Sequence, residues 1–206
     1  MKTFIYVDGF NLYYRAVKGT PYKWLDVDSL CQKLLPKAQI LRINYYTARV
    51  TARPHDPDQP TRQNIYFRAL KTISHLEIIE GAFLSKPTTL PLEADPTKFA
   101  RVIKTEEKGS DVNLAAHLVN DGHLKRYEQA VVITNDSDLA EPIRIVRDEL
   151  KLPIGILFPS KYLNPQLKNV STPNFTKPIR EGVLKTSQFP KVLKDNVGTF
   201  HKPPTW

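Results

Sequence analysis

The stretch QAVVIT (residues 129–134) constrains the fold most, because it is a continuous apolar run cut off abruptly by Asn-Asp-Ser-Asp. A strand with one wet face alternates apolar and polar residues, whereas an unbroken run needs cover on both faces. TFIYV (3–7) and LPIGILF (152–158) have the same character, and ILRINYYTARV (40–50) reads as a further strand. Between the strands lie helical patterns. NLYYRAVKG (11–19) ends at Gly19, and LDVDSLCQKLLP (25–36) has Asp26 or Asp28 as N-cap and Pro36 as stop. RQNIYFRALKTI (62–73) places its apolar residues on one face, GSDVNLAAHLVNDG (109–122) opens at Ser110 or Asp111, and DLAEPIRIVRDEL (138–150) carries Pro142 in its first turn. Strands alternating with helices predict an α/β three-layer sandwich around a central, mostly parallel sheet of about five strands.

Two proline-rich stretches interrupt this pattern. RPHDPDQPTR (53–62) reads as a loop, and SKPTTLPLEADPTK (85–98) as a mobile excursion between the strands of a hairpin, with ARVIKT (100–105) returning. After Pro159 periodicity fades. Eight of the 17 prolines lie from 153 onward, which sets a domain of residues 1–159 apart from an extension, 160–206, that either wraps the domain or is partly disordered. The net charge of +9 is concentrated there: residues 151–206 hold 9 Lys/Arg against 2 Asp/Glu, and residues 1–150 hold 21 against 19. A basic tail serves solubility or draws in a polyanion such as nucleic acid. No apolar run reaches the ~18 residues of a membrane span, and MKTFIYVDGF is too short and acid-terminated for a signal peptide. The lone Cys31 rules out an intrachain disulfide and a Cys-built zinc site. These features predict a soluble, cytoplasmic protein with no membrane partner.

Asp136 and Asp138 follow the QAVVIT strand, Asp8 follows TFIYV, and Asp111 opens a helix. In an open parallel sheet the functional crevice lies beyond the carboxyl ends of the strands. If the first strand and the QAVVIT strand are neighbours, the four carboxylates converge there. Taken singly, Asp111 and Asp138 fit as N-caps and Asp8 as a turn residue. Together they form an acidic cluster that calls for a cation, and hard oxygen ligands suit Mg²⁺ or Mn²⁺. Such a site activates water for displacement at phosphorus, which fits a basic protein with an acidic hole. Other chemistries lack their signatures: there is no P-loop, G-x-G-x-x-G, H-E-x-x-H or G-x-S-x-G sequence. A haloacid-dehalogenase phosphatase would place a second Asp at position 10, where Phe stands.

YVDGFNLYY, EEKGSDVNLAAHLV and VVITNDSDLAEPIRIVRD, in this order and spacing, resemble the NYN domain family of PIN-like ribonucleases over roughly residues 1–160. HKPPTW and SQFP look like bacterial members of the group. The resemblance implies a Rossmann-like (PIN-like) sheet and a metal-dependent ribonuclease site that binds Mg²⁺ or Mn²⁺ through Asp8, Asp111, Asp136 and Asp138. It also implies that Asn11 orients Asp8 or a phosphate oxygen and that Lys108 lies near the substrate phosphate. Thr134 either adds a hydroxyl or is a buried strand residue. Phe10, Tyr13 and Tyr14 either stack on unpaired bases, favouring single-stranded RNA, or pack helix against sheet. Arg49, Arg53, Arg62 and Arg68 are phosphate contacts or solvated. His117 stands where the family often has another Asp, and it is a ligand, a phosphate contact or a residue facing elsewhere. Competing expectations on the same fold are an RNA-binding regulator without turnover and a DNA- or flap-directed nuclease. A homodimer is a further expectation by analogy.

Overall fold

The computed structural model describes residues 1–169 and 173–206. Its centre is a six-stranded parallel sheet in the order β3-β2-β1-β6-β7-β8. The strands are β1 (Lys2–Asp8), β2 (Gln39–Thr47), β3 (Leu76–Glu80), β6 (Gln129–Ile133), β7 (Ile154–Phe158) and β8 (Phe175–Pro178). β1 pairs with β2 on one side and with β6 on the other, Val7 lying opposite Ile133. The sheet therefore reverses its winding direction at the β1–β6 boundary, the place where such sheets open a crevice at their carboxyl ends.

One face of the sheet is covered by α1 (Gly9–Leu12) with its π-helical continuation Tyr13–Val17, by α2 (Val27–Leu34) and by α3 (Gln59–Leu70). Asp26 caps α2 by accepting the Ser29 N–H at 3.0 Å. The other face packs α4 (Ser110–His123) and α5 (Ala140–Arg144), which is preceded by a 3₁₀ turn, Ser137–Leu139, and continued by a π-helical turn, Ile145–Glu149. Two cores result. One is built on Ile5, Val7, Trp24, Leu30 and Tyr66, and the other on Tyr6, Leu114, Leu118, Val132 and Ile156. Because neighbouring side chains on a strand point to opposite faces, both apolar halves of each central strand are buried.

Three features depart from the sequence reading. The sheet has a sixth strand, β8, supplied by the stretch in which periodicity fades; a short edge strand with Pro178 leaves little pattern to read. The first half of the proline-rich stretch 85–98 is strand: β4 (Ala82–Pro91) and β5 (Phe99–Lys108) form a two-stranded antiparallel arm, in which Pro87 and Pro91 are tolerated because the ribbon is all edge. Helix α3 begins at Gln59, with Pro60 in its first turn, inside the stretch read as loop.

Most of the extension beyond Pro159 lies along the α1–α3 face, but its first helix buries Leu167 in the core on the α4–α5 face. It contributes α6 (Pro165–Asn169), β8, α7 (Glu181–Thr186) and a small hairpin of β9 (Val192–Asp195) and β10 (Gly198–His201). Leu184, Phe189 and Phe200 are buried in the first core. Trp24 donates its indole N–H to the Pro190 carbonyl at 2.8 Å, and Arg68 holds the hairpin through a bidentate pair with Asp195. Among the described residues no helix is long and apolar enough to cross a membrane.

Candidate active site

Asp8 is the last residue of β1 and only 5% exposed. One carboxylate oxygen accepts the Asn11 N–H at 2.9 Å, which caps α1, and the other accepts the Thr134 hydroxyl at 3.0 Å. The tight exit from β1 needs Gly9: a Cβ there would stand 2.6 Å from the Tyr46 carbonyl oxygen. Thr134 in turn accepts the Asp136 N–H at 3.0 Å. The Asn11 side chain accepts the Asn135 N–H at 2.9 Å, and Asn135 reaches Ser160, Tyr162 and Asn164. The exits of β1, β6 and β7 are thus tied into one polar network. Asn11 fixes the Asp8 carboxylate through its backbone, while its amide steadies the neighbouring turn.

Asp111 enters from α4. Its helix starts at Gly109, whose φ of 97° belongs to glycine, and Glu107 accepts the Ser110 N–H at 3.1 Å to cap the first turn. Asp8, Asn11, Asp111, Asp136, Glu107, Arg15 and Arg53 border one crevice of about 860 Å³. The electrostatics agree with that convergence. Burial pushes the Asp8 pKa from 3.8 to about 7; the Asn11 N–H and the Thr134 hydroxyl oppose the rise, and Asp111 and Asp136 add to it. Asp111 is also raised, first by burial and then by Asp136, Glu107 and Asp138. Like charges facing one another in a desolvated crevice disfavour ionisation of each. Among the described residues no three acidic, His or Cys side chains close around one point. Asp8, Glu107, Asp111 and Asp136 are the carboxylates that border the crevice.

Other candidates fall outside this crevice. Asp138 is exposed at the rim, and its backbone N–H donates to Asp136 at 3.1 Å. Lys108 pairs with Glu106 at 3.0 Å and lies on the opposite face of the arm from Glu107, so it does not line the crevice. Arg49 pairs with Glu80, Arg62 with Asp56 and Arg68 with Asp195, which leaves Arg53 as the one of these four arginines that borders the crevice. Thr134 is a buried strand-end residue whose hydroxyl serves Asp8. Tyr13 lines an adjoining apolar cavity instead of the acidic one. His117 faces Tyr46, with Nδ1 and the tyrosine hydroxyl 3.1 Å apart, and not the acids. Glu107 and Arg15 escaped the sequence reading. The alternation of β5 carries the signal for Glu107, since residues two apart share a face.

The NYN domain model matches residues 2–180. A 6-hydroxy-3-succinoylpyridine 3-monooxygenase of Pseudomonas putida is 30% identical over 237 aligned residues, which cover 100% of this chain and 75% of that protein. The crystal structure of a protein of unknown function from Vibrio parahaemolyticus superposes with a TM-score of 0.58 at 13% identity, covering 87% of this chain and 93% of that one. That likeness bears on the fold alone. The family match spans most of the chain, and the protein belongs to the NYN domain family, with a nuclease-like domain.

Proposed function

We propose that the protein is a metal-dependent endoribonuclease that hydrolyses single-stranded RNA at the crevice between β1 and β6. The observation that carries the reading is a buried Asp8 held rigid by Asn11 and Thr134 and facing Asp111 and Asp136. An all-carboxylate donor set that resists ionisation fits a hard divalent cation such as Mg²⁺ or Mn²⁺, which takes one or two carboxylates and keeps several waters. When bound, the cation supplies charge neutralisation at the phosphate and an activated water. Asp8 and Asp136 would hold the cation, with Asp111 approaching from the facing helix and Asp138 acting from the rim. Arg15 and Arg53 border the same crevice and would hold the phosphodiester backbone there.

The test is incubation with a mixed single-stranded RNA in Mn²⁺, Mg²⁺ and EDTA, beside Asp8→Asn and Asp136→Asn. Cleavage that needs metal and vanishes in both variants supports the proposal, and retained cleavage in both variants sinks it. Salt-sensitive RNA binding without cleavage in any metal would turn the reading to a regulatory RNA-binding protein, and preference for duplex or flap DNA would turn it to a DNA-directed nuclease. The name of the Pseudomonas relative supplies a second reading, oxygenation of a hydroxypyridine. That reaction needs dioxygen and a two-electron reductant. The same preparation is therefore offered 6-hydroxy-3-succinoylpyridine with air and reduced nicotinamide, and substrate loss without RNA cleavage would favour it.

A further inference from the structure

One wall of the acidic crevice is longer than the crevice itself. That wall is the antiparallel arm, and its root is fixed. The Gly81 N–H donates to the Thr47 carbonyl at 2.7 Å, and a Cβ on Gly81 would stand 2.6 Å from the Lys108 carbonyl oxygen. Just above the root, Phe83 meets Phe10 edge to face at 5.6 Å. Phe83, Ile103, Thr105 and Glu107 border the crevice. They share one face of the ribbon, because side chains two apart on a strand point the same way and Phe83 lies opposite Glu107.

The same face continues outward past the crevice. Ile103 lies opposite Pro87, Arg101 opposite Thr89 and Phe99 opposite Pro91. An apolar rung, a cationic rung and a second apolar rung therefore follow one another. Ile103 is 69% exposed and Phe99 65%, more than any other large apolar side chain of the arm. Among the described residues Arg101 makes no ion pair, whereas Lys104 and Lys108 on the opposite face both pair with Glu106. From Glu107 to Phe99 the strand rises about 27 Å.

We propose that this face of the arm holds the unpaired nucleic-acid strand where it leaves the crevice, with Arg101 on a backbone phosphate and Ile103 and Phe99 as platforms for bases. The proposal rests on the nuclease reading and extends it to substrate length: a chain of many nucleotides is gripped along the arm, and a very short one is not. Sequence-tolerant binding of single strands combines cations along the backbone with exposed rings on which bases stack. The three rungs supply both. A second copy of the chain seated on Ile103 and Thr105 would also cover the crevice that these residues border, which disfavours it as the occupant.

The experiment uses the full chain carrying Asp136→Asn in Mg²⁺, so that no turnover intervenes. It reads the anisotropy of labelled, unstructured RNAs of about 4 and about 16 nucleotides at rising salt. The longer RNA should bind about tenfold or more tightly than the shorter. Phe99→Ala with Arg101→Ala should weaken the longer RNA by about tenfold or more and the shorter by less than about twofold. Arg101→Ala alone should make the slope of log K against log salt shallower by about 0.7, the mark of one phosphate contact on a single strand, and Arg101→Lys should restore it. Lys86→Ala with Lys104→Ala removes two charges from the opposite face and should cost less than about threefold. All four positions are exposed, and sedimentation velocity of each variant reports folding and self-association. Equal affinity for the two lengths, no measurable binding of the longer RNA, or an equal loss in the Lys86/Lys104 variant overturns the arm surface. A dimer that Phe99→Ala with Arg101→Ala dissociates gives the face to a second copy and overturns it too. Cleavage is scored separately on the unsubstituted protein: cleavage with arm-independent binding removes the arm surface and leaves the nuclease reading, and arm-dependent binding without cleavage in Mn²⁺ or Mg²⁺ does the reverse.

Discussion

Replacing Asp8 with asparagine should make the chelator-treated protein more stable, and only above acid pH. The carboxyl ionises near 3.8 when unfolded and near 7 when folded, chiefly because it is buried. Below about pH 4 it is protonated in both states and contributes nothing. Between about 4 and 7 the unfolded chain releases the proton while the folded chain keeps it, so stability falls as pH rises; above about 7 the loss is complete. About three pK units at about 1.36 kcal/mol each set a ceiling of about 4 kcal/mol. The substitution gives part of this back. Its amide oxygen still accepts the Asn11 N–H, but its NH₂ faces the Thr134 hydroxyl, which already accepts from Asp136, so one hydrogen bond worth about 1 kcal/mol is compromised. The net gain at pH 8 is about 2–3 kcal/mol, or roughly 5–10 °C in Tm for a chain of this size. Differential scanning calorimetry in EDTA from pH 4 to pH 8 measures it. Saturating Mn²⁺ should reverse the order, stabilising the unsubstituted protein alone. An Asp8→Asn variant that melts lower at pH 8 in EDTA by the same margin as at pH 4 would refute the reasoning.

Three further outcomes are expected. Gly109→Ala forces an ordinary side chain to a φ of 97°, costing about 1–2 kcal/mol and shifting the turn that presents Asp111, so both Tm and cleavage rate should drop. His117→Ala should cut RNA within about twofold of the unsubstituted rate, because the ring faces Tyr46; a loss of tenfold or more would place His117 in the site. Arg68→Ala removes the bidentate pair that holds the Asp195 carboxyl well below the usual range, so amide exchange across residues 192–201 should accelerate. In the unsubstituted protein that contribution is present above the unfolded pKa and fades as pH falls through the folded one, so exchange there should quicken in strong acid.

The core of the site was legible because its signals are local. Continuous apolar runs marked β1 and β6 as buried strands, and their pairing, a condition of the sequence reading, brings the acids directly after them to one end of a parallel sheet. Lys108 and Glu107 show where such reading fails. The motif drew Lys108 toward the substrate, but consecutive residues on β5 face opposite sides, and the register of the arm gives the crevice to Glu107. The rim position of Asp138 and the pairing of Arg49 with Glu80 escape such reading for another reason, since both are tertiary outcomes that spacing does not encode. The fitting of β8 and Trp206 was equally invisible, because β8 is short and the partners of Trp206, Tyr66 and Trp24, lie far away along the chain.

The packing of the extension bears on how the protein is made. Domains tend to fold from the N-terminus as synthesis proceeds, and here the α4–α5 core is built from residues up to Leu167. The opposite core is closed by Leu184, Phe189, Phe200 and Trp206. A growing chain that has already made both acid-bearing strand exits therefore still shows Trp24 and Tyr66 to the cellular milieu until those residues arrive. Through that interval the half-built protein exposes apolar surface of the kind chaperones and proteases recognise, and a chain that stops near residue 180 should be degraded instead of persisting as a smaller folded protein.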